Sequence, residues 1–283
     1  MATFTNQATL SYNGNTVNSN TVTGNIVEVL AVTKTALNKT YSQNEDVTYV
    51  VSLTNSGTLP LNEVTVTDNL GEYDDAGTSR VPLDYIADSA VYYQNGVLQN
   101  TLVVTEAPTL TFSGITIPAG GNAIIIYEAR PNEFAPLDVQ GSITNEVSAT
   151  AIGITTPATD TAIITTVDEP NLSITKLLTP VNVTENGEIT YTFTIQNTGN
   201  SPADTTDKVQ ILDTFDPILS GINVAVNGTT IPATNYSYNQ TTGEFSTNPG
   251  VITVPAATFE PDPTTGIITT TPGVTTVTVT GRI

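Results

Sequence analysis

Apolar and polar residues alternate along most of the chain, as they do in β-strands that bury one face. In the segment Leu30–Ala36, Leu30 and Val32 fall on one face, and Ala31 and Thr33 fall on the other. Thr, Val and Ile fill such segments, while 20 Gly and 17 Pro residues separate them. This composition is typical of strands joined by tight turns. The pattern therefore predicts an all-β protein with many strands.

The alternating pattern contains an internal repeat. The segment Leu30–Thr35 recurs as Leu172–Leu177, and each copy contains a Lys. Three further features follow in both copies: a Tyr within a strand, an Asn-x-Gly sequence, and a strand that ends in Asp. These are Tyr49 and Tyr191, Asn55-Ser56-Gly57 and Asn197-Thr198-Gly199, and Val64–Asp68 and Val209–Asp213. Two copies of one domain are present.

One strand of the first copy has no counterpart after the second copy. The first copy includes the alternating strand Ile143–Ala149, and the sequence stops before the second copy reaches the equivalent position. A segment with the same pattern, Phe4–Leu10, stands at the N-terminus instead. This segment is a candidate donor strand. The side chains that we expect it to insert are Phe4, Ala8, Leu10 and Tyr12.

The sequence therefore predicts two tandem Ig-like β-sandwiches that follow an N-terminal donor strand. The predicted domains are residues 1–29 (donor strand and junction), 30–168 (a complete sandwich) and 169–283 (a sandwich completed in trans). The finer expectations are a donor strand at 2–13 and equivalent junction segments at 17–29 and 156–168.

A sandwich that lacks a strand exposes an edge of unpaired backbone groups and a groove into its core. A strand of matching pattern from another copy can fill this groove by β-augmentation. The linker before Lys34 is too short, on this prediction, for the N-terminus to fold back past a whole domain of its own chain. The contact is then head-to-tail, and such a contact produces a filament when it does not close into a ring.

The charge and composition exclude several classes of function. The chain has 7 Lys plus Arg against 27 Asp plus Glu, a net charge of −20, and it has no His, Cys or Trp. This balance excludes a binder of nucleic acid or of anionic membranes, both of which need a basic surface. Disulfides, thiolate or imidazole metal sites and His-dependent catalysis are also excluded. We predict a structural or binding protein that is not a turnover enzyme, with no cofactor, no metal and no membrane insertion.

Strand parity places a Lys, an Asp and an Asn on the apolar face of each predicted domain. In the first domain these residues are Lys34, Asp68 and Asn145. In the second they are Lys176 and Asp213, and the Asn is Asn6 of the donor strand. Burial disfavours the charged forms of both Lys and Asp. A neutral amine beside a protonated carboxylic acid and a carboxamide is the set that transamidation requires.

Other interpretations of these residues stay open at this point. Each Lys could instead extend to solvent or form an ion pair with the Asp. Asn55 and Asn197 are rival acceptors, although a turn before a Gly with positive φ is the simpler explanation. Glu128 could replace Asp68 as the acid.

The acidic pairs Asp74-Asp75 and Asp168-Glu169 could bind Ca²⁺. Their spacing matches no calcium-loop motif, so a solvated acidic surface is the better interpretation.

The chain resembles the Thr-rich, Ig-like conserved-repeat domains of bacterial surface proteins, known as the domain-of-unknown-function eleven family. The Tyr…Asn-x-Gly run and the Val-x-Val-x-Asp strand carry this resemblance. The Lys/Asp/Asn set is similar to that of collagen-adhesin-type pilin domains, which form intramolecular isopeptide bonds. The resemblance implies a Lys34–Asn145 bond with Asp68 as the catalytic acid. It also implies a bond between Lys176 and Asn6 of the next chain, with Asp213 as the catalytic acid.

The sequence departs from the pilin pattern because it contains no Leu-Pro-x-Thr-Gly sortase signal. The predicted function is a structural subunit of an extracellular fibre on a bacterial cell or spore. The predicted partner of each subunit is a second copy of the same chain, and a surface anchor or tip protein is a further candidate partner. The alternative is a monomeric surface adhesin with aromatic clusters at Tyr92-Tyr93 and Tyr236/Tyr238. The start of the sequence shows no signal peptide, so the route of export stays open.

Overall fold

The structure is a computed structural model that describes residues 2–283, with side chains from Thr3 onwards. These residues form 28 β-strands and two short 3-10 helices, which confirms the predicted all-β class. Within the described residues, no helix is long and apolar enough to cross a membrane. The chain divides into two compact units: Met1–Asn132 with Ile143–Ile164, and Glu133–Ser142 with Thr165–Ile283. We call them the first and the second domain.

Residues 2–26 fold into an antiparallel hairpin, which we call the N-terminal hairpin. Its strands are β1 (Ala2–Asn6), β2 (Thr9–Tyr12), β3 (Asn15–Asn18) and β4 (Val22–Ile26), with β1 paired to β4 and β2 paired to β3. Asn13 and Gly14 form the turn with φ of 46° and 79°, the backbone that an Asn-Gly hairpin turn favours. From Thr3 to Glu28 every residue is exposed except Gly24, which is half-buried.

The first domain is a sandwich of two antiparallel sheets. Its strands are β5 (Leu30–Ala36), β6 (Thr40–Tyr41), β7 (Val47–Asn55), β8 (Leu61–Asp68), β9 (Tyr73–Asp75), β10 (Thr78–Arg80), β11 (Leu83–Tyr85), β12 (Val91–Gln94), β13 (Val97–Gln99), β14 (Val103–Thr105), β15 (Leu110–Ile117), β16 (Asn122–Pro131), β17 (Ser142–Thr150) and β18 (Ala158–Thr166). One sheet has the order β13-β12-β16-β7-β5, and the other has the order β14-β15-β8-β17-β18-β6. Tyr41, Tyr49, Phe112 and Tyr127 are fully buried between them.

The second domain repeats part of this arrangement. Its strands are β19 (Leu172–Thr179), β20 (Glu188–Asn197), β21 (Leu212–Thr214), β22 (Ser220–Val226), β23 (Thr229–Thr230), β24 (Tyr236–Tyr238), β25 (Glu244–Thr247), β26 (Thr258–Pro261), β27 (Ile268–Thr271) and β28 (Gly273–Arg282), and the 3-10 helices are Thr205–Asp207 and Ala233–Asn235. The main sheet has the order β19-β20-β28-β22-β23, and it faces the smaller sheet β21-β25-β24. Phe193, Phe215, Leu219 and Val277 lie in one core cluster.

The predicted single donor strand and its junction need correction. The segment 2–13 holds two strands with a break between Asn6 and Thr9, and much of the segment 17–29 is β4 of the same hairpin. The segment 156–168, also predicted as a junction, contains β18, which pairs with β17. The segment 17–29 contains few apolar residues, and pairing with β1 and β2 makes parts of it strands. In β18, Ala162 and Ile164 alternate with exposed residues and are buried.

Candidate functional site

The three polar residues predicted at the core of the first domain come from three different strands. Lys34 lies on β5, at the edge of one sheet, while Asp68 ends β8 and Asn145 lies on β17 in the facing sheet. β17 pairs beside β8, with Val147 opposite Asp68. The side chains of Lys34 and Asp68 are 0% exposed, and Asn145 is 0% exposed. The structure therefore places all three residues inside the sandwich, where their strand parity predicts them.

Asp68 is the centre of a buried hydrogen-bond network. Its Oδ2 atom accepts hydrogen bonds from Nζ of Lys34 at 2.5 Å and from the hydroxyl of Tyr127 at 2.6 Å. Its Oδ1 atom accepts the backbone N–H of Leu70 at 3.0 Å. One carboxyl group thus contacts both the amine and a phenol, so it can move a proton to or from either group.

Asn145 joins this network through its nitrogen. Its Nδ2 atom donates to the hydroxyl of Tyr127 at 3.2 Å. Among the described residues, nothing donates a hydrogen bond to its buried Oδ1 atom. Buried carbonyl oxygens are usually paired, because an unpaired one costs about 1–3 kcal/mol. The amide carbonyl is therefore held in the core without the stabilisation that a donor would give it.

The surroundings of the Lys34 amine are aromatic. Nζ lies 5.0 Å from the ring centroid of Tyr49 and 5.8 Å from that of Tyr127, and these two rings stack at 5.4 Å. Desolvation by burial lowers the pKa of Lys34 from 10.5 to about 8, although the Asp68 carboxylate opposes this change. Burial also raises the pKa of Tyr49 and of Tyr127, so both phenols keep their protons.

The sequence prediction missed Tyr127. This residue lies on β16 opposite Tyr49 of β7, and its hydroxyl bridges the Asp68 carboxyl and the Asn145 amide. Its inward parity was visible in the sequence, but inward Tyr residues are common in cores. The equivalent position of the second domain is Val279, which lies opposite Tyr191. The phenol bridge is therefore specific to the first domain.

The second domain holds the equivalent Lys and Asp in contact. Nζ of Lys176 donates to Oδ2 of Asp213 at 2.5 Å, and it lies 4.4 Å from the ring centroid of Tyr191. The Lys176 side chain is 39% exposed and that of Asp213 is 17% exposed, in a domain that the sequence predicts to lack its last strand. The amine and the acid are in place, but no strand covers them within the described residues.

The exposed pair marks an open groove. Every residue of β5 that faces the core is buried, whereas seven of the eight residues of β19 are exposed. The exposed side chains include Leu172 and Ile174, which are equivalent to the buried Leu30 and Val32. In the first domain β17 pairs with β8, but in the described part of the second domain β21 pairs only with β25. The position equivalent to β17 and β18 is vacant there.

The remaining predicted residues lie on the N-terminal hairpin. Asn6 is exposed on β1, opposite Val22 of β4. The structure therefore does not place Asn6 in a core, in contrast to Asn145. The other donor side chains are also exposed: Phe4, Ala8, Leu10 and Tyr12.

Asn55 and Asn197 have structural roles. The Nδ2 atom of Asn55 donates to three backbone carbonyls, and its Oδ1 atom accepts the backbone N–H of Gly57 at 2.9 Å. Asn197 binds Gly199 and two carbonyls in the same way. The predicted positive φ at these glycines is wrong. Gly199 is required instead by close packing, since a Cβ atom there would lie 2.2 Å from the backbone oxygen of Glu169.

Neither Glu128 nor the acidic pairs gain support from the geometry. Glu128 has the opposite parity to Tyr127 on β16 and is only half-buried. The Asp74 carboxylate accepts the N–H of Gly77 in a turn, and that of Asp168 accepts an amide hydrogen from Asn200. Within residues 2–283, no group of three or more acidic side chains converges as a metal site would require.

The aromatic clusters suggested for an adhesin are not free loop surfaces. Tyr92 is 1% exposed, and Tyr236 and Tyr238 pack against the core of the second domain.

No known protein-family profile matches the chain, and no curated protein sequence matches it either. Among solved structures, the chain is similar to the major pilin subunit of Bacillus cereus, with 10% identity, a TM-score of 0.38, and coverage of 94% of this chain and 70% of that chain. It is also similar to a C-terminal fragment of a major pilin of Streptococcus agalactiae, with 13% identity, a TM-score of 0.35, and coverage of 78% and 79%. A third similar structure is the pilus backbone protein of Streptococcus pneumoniae, with 10% identity, a TM-score of 0.34, and coverage of 86% and 55%. Likenesses at these TM-scores carry no argument about function, which rests on the geometry above.

Proposed function

We propose that the chain is a structural subunit of an extracellular bacterial fibre, assembled head-to-tail by donor-strand complementation and locked by Lys–Asn isopeptide bonds. One observation carries the proposal. The first domain contains Lys, Asp, Asn and the strand that bears the Asn, whereas the second domain contains the equivalent Lys and Asp in an open groove. The matching strand, with its Asn, is exposed on the N-terminal hairpin.

The proposed reaction in the first domain is a transamidation. A proton passes from the Lys34 ammonium to the Asp68 carboxylate, which leaves a neutral amine and a carboxylic acid. Nζ then attacks Cγ of Asn145, while the acid donates a hydrogen bond to Oδ1. The carboxyl group takes a proton from the attacking nitrogen and supplies one to Nδ2, directly or through the Tyr127 hydroxyl. The Cγ–Nδ2 bond breaks, ammonia leaves, and an Nζ–Cγ amide remains.

The same reaction in the second domain would join two chains. β1 and β2 would add beside β21, so that Asn6 takes the place that Asn145 has in the first domain. The register of the first domain, with Val147 opposite Asp68, places Ala8 opposite Asp213. The Lys176 amine would then attack Asn6 of the next chain, with Asp213 as the acid. Both bonds form once per subunit, so this is self-cross-linking rather than turnover.

The test is boiled SDS electrophoresis of protein incubated at high concentration, with intact mass measured on every band. We expect a ladder in which each internal subunit is lighter by about 34 Da, or two ammonia molecules. Asn6→Ala and Asn145→Ala are matched variants at equivalent positions. Asn6→Ala should give only a monomer that is lighter by about 17 Da, and Asn145→Ala should keep the ladder but lose about 17 Da less per subunit.

Three results would contradict the proposal. A wild-type monomer of full mass at every concentration would leave the lysines as ion-paired core residues and would favour the monomeric adhesin. A monomer that is lighter by about 17 Da and never forms a ladder would remove the intermolecular bond. A covalent ladder from Asn6→Ala protein would show that another residue is the acceptor.

A further inference from the structure

The N-terminal hairpin matches β17 and β18 of the first domain as a two-stranded unit. On the first strand, the interval from Asn6 to Lys34 is slightly shorter than the interval from Asn145 to Lys176. On the second strand, the number of residues before the following Lys is identical in the two copies. Val22 lies as far before Lys34 as Ile164 lies before Lys176.

The second strand is essential to the closed site of the first domain. β18 pairs with β17, and its inward residues Ala162 and Ile164 are buried. Oδ2 of Asp160 accepts the backbone N–H of Lys34 at 2.7 Å, so β18 satisfies a donor on the free edge of β5. β17 alone would provide the Asn but would leave this donor and part of the core uncovered.

The equivalent surfaces of the second domain and of the N-terminal hairpin are both exposed. β19 is the edge strand of its sheet, and its residue Ile174 is 54% exposed. On the hairpin, Phe4 and Val22 are each 55% exposed. β1 and β4 are already paired, with Asn6 opposite Val22 and Phe4 opposite Gly24. The two strands therefore form one preassembled face that carries Asn6.

We propose that the whole N-terminal hairpin, and not a single strand, docks into the second domain of another copy. This inference rests on the proposed function and specifies the donor. β1 and β2 take the place of β17, while β3 and β4 take the place of β18. Val22 enters the core as Ile164 does.

The order of segments supports this assignment. In the first domain, the hairpin β17–β18 is followed after residues 167–171 by the first strand of the next domain. The N-terminal hairpin is followed after residues 27–29 by β5, which is again the first strand of a domain. The hairpin β17–β18 completes the first domain and directly precedes the second domain. On this assignment, the N-terminal hairpin completes the second domain of another copy and directly precedes the first domain of its own chain. A docked chain would continue the same alternation of hairpin and domain across subunits.

The first experiment compares Val22→Asp with Thr23→Asp in the full chain. Thr23 lies on the opposite face of β4 and is equivalent to the exposed Thr165, so it carries the same charge change without entering the groove. We expect Val22→Asp to lower the initial rate of covalent dimer formation about tenfold or more, because a carboxylate would enter an apolar core. Thr23→Asp should stay within about twofold of the wild type.

Hydrogen exchange on the purified wild-type polymer gives a second readout that needs no substitution in the hairpin. We expect the amides of residues 15–26 to be protected as strongly as those of β1.

The outcomes separate this inference from the proposed function. If covalent dimers form and Val22→Asp equals Thr23→Asp, with fast exchange over residues 15–26, a single strand is donated and the hairpin inference is wrong while the proposed function stands. If the wild type forms no covalent dimer, the proposed function fails and this inference fails with it.

Discussion

A bond between Lys34 and Asn145 would close most of the first domain into a single covalent loop. In the chain-entropy treatment of cross-links, closing a loop of about 110 residues stabilises the folded state by about 4.8 kcal/mol. Lys34→Met and Asn145→Ala each remove the bond, so each should lose this amount together with a local cost. The local cost is about 3–5 kcal/mol for Lys34→Met, which leaves Asp68 without its cationic partner. For Asn145→Ala it is about 1–3 kcal/mol, from the lost amide.

The double variant separates the bond from the local contacts. The cross-link is lost only once, so Lys34→Met/Asn145→Ala should be about 4.8 kcal/mol less destabilised than the sum of the two single variants. Non-covalent neighbours couple by about 0.5–3 kcal/mol. The Asn6→Ala background removes the bond between chains, and a low protein concentration limits non-covalent docking, so that polymerisation does not contribute to the measurement.

Native-state hydrogen exchange is the suitable assay because two domains share the chain and a single melting curve would mix them. The slowest amides of β7 and β16, such as those of Val51 and Ile125, are at the centre of the first domain and report its global unfolding. Intact mass should show both single variants without the ammonia loss of the first domain. A coupling free energy below about 3 kcal/mol between the Lys34→Met and Asn145→Ala substitutions would refute the covalent link.

Two further predictions concern the chemistry of the first domain, measured as the loss of about 17 Da over time after refolding of uncross-linked protein. The reactive state has a single proton shared by Lys34 and Asp68, so the rate should fall as pH rises through the Lys34 pKa of about 8. At pH 9.5 this predicts a rate about 30-fold below that at pH 7. If the pKa of Lys34 were unshifted, the rate would hardly change between these pH values. If the reaction did not need the acid, the rate would increase with pH. Tyr127→Phe removes the hydroxyl that bridges Asp68 and Asn145 and should slow the reaction about tenfold or more. Tyr49→Phe is the matched control, because the Tyr49 hydroxyl lies in the same buried site near Asn145, whereas Tyr127 bridges Asp68 and Asn145. Equal rates for the two variants would contradict the relay role of Tyr127.

Strand parity was sufficient to predict the buried triad of the first domain. Lys34, Asp68 and Asn145 each stand in a strongly alternating segment, and a period of two residues leaves no choice of face once the apolar residues are fixed. The Tyr127 bridge was not predictable in this way. It depends on how far each side chain extends between the two sheets. Strand parity shows on which face of a sheet a side chain lies, but it does not give the distance between two side chains.

The N-terminal hairpin shows where alternation misleads. Phe4 to Tyr12 alternates well enough to suggest one long strand, and the segment that follows has few apolar residues to indicate a second one. The turn signal was nevertheless present, since Asn13-Gly14 is the dipeptide that two-residue hairpins prefer. Parity alone does not determine burial in the second domain. Parity identifies the face on which Lys176 lies, but whether anything covers that face depends on a segment far away in the sequence.

The two copies of the site suggest how a single sequence avoids premature reaction at its open end. In the first domain the Lys34 side chain is excluded from water, and desolvation is the main cause of its lowered pKa. In the second domain the amine and the acid are already paired, yet 39% of the Lys176 side chain is in contact with solvent. A docking hairpin would bring the acceptor amide and would exclude water in the same step. Under the proposed function, the geometry of binding therefore restricts the covalent step to a correctly seated partner.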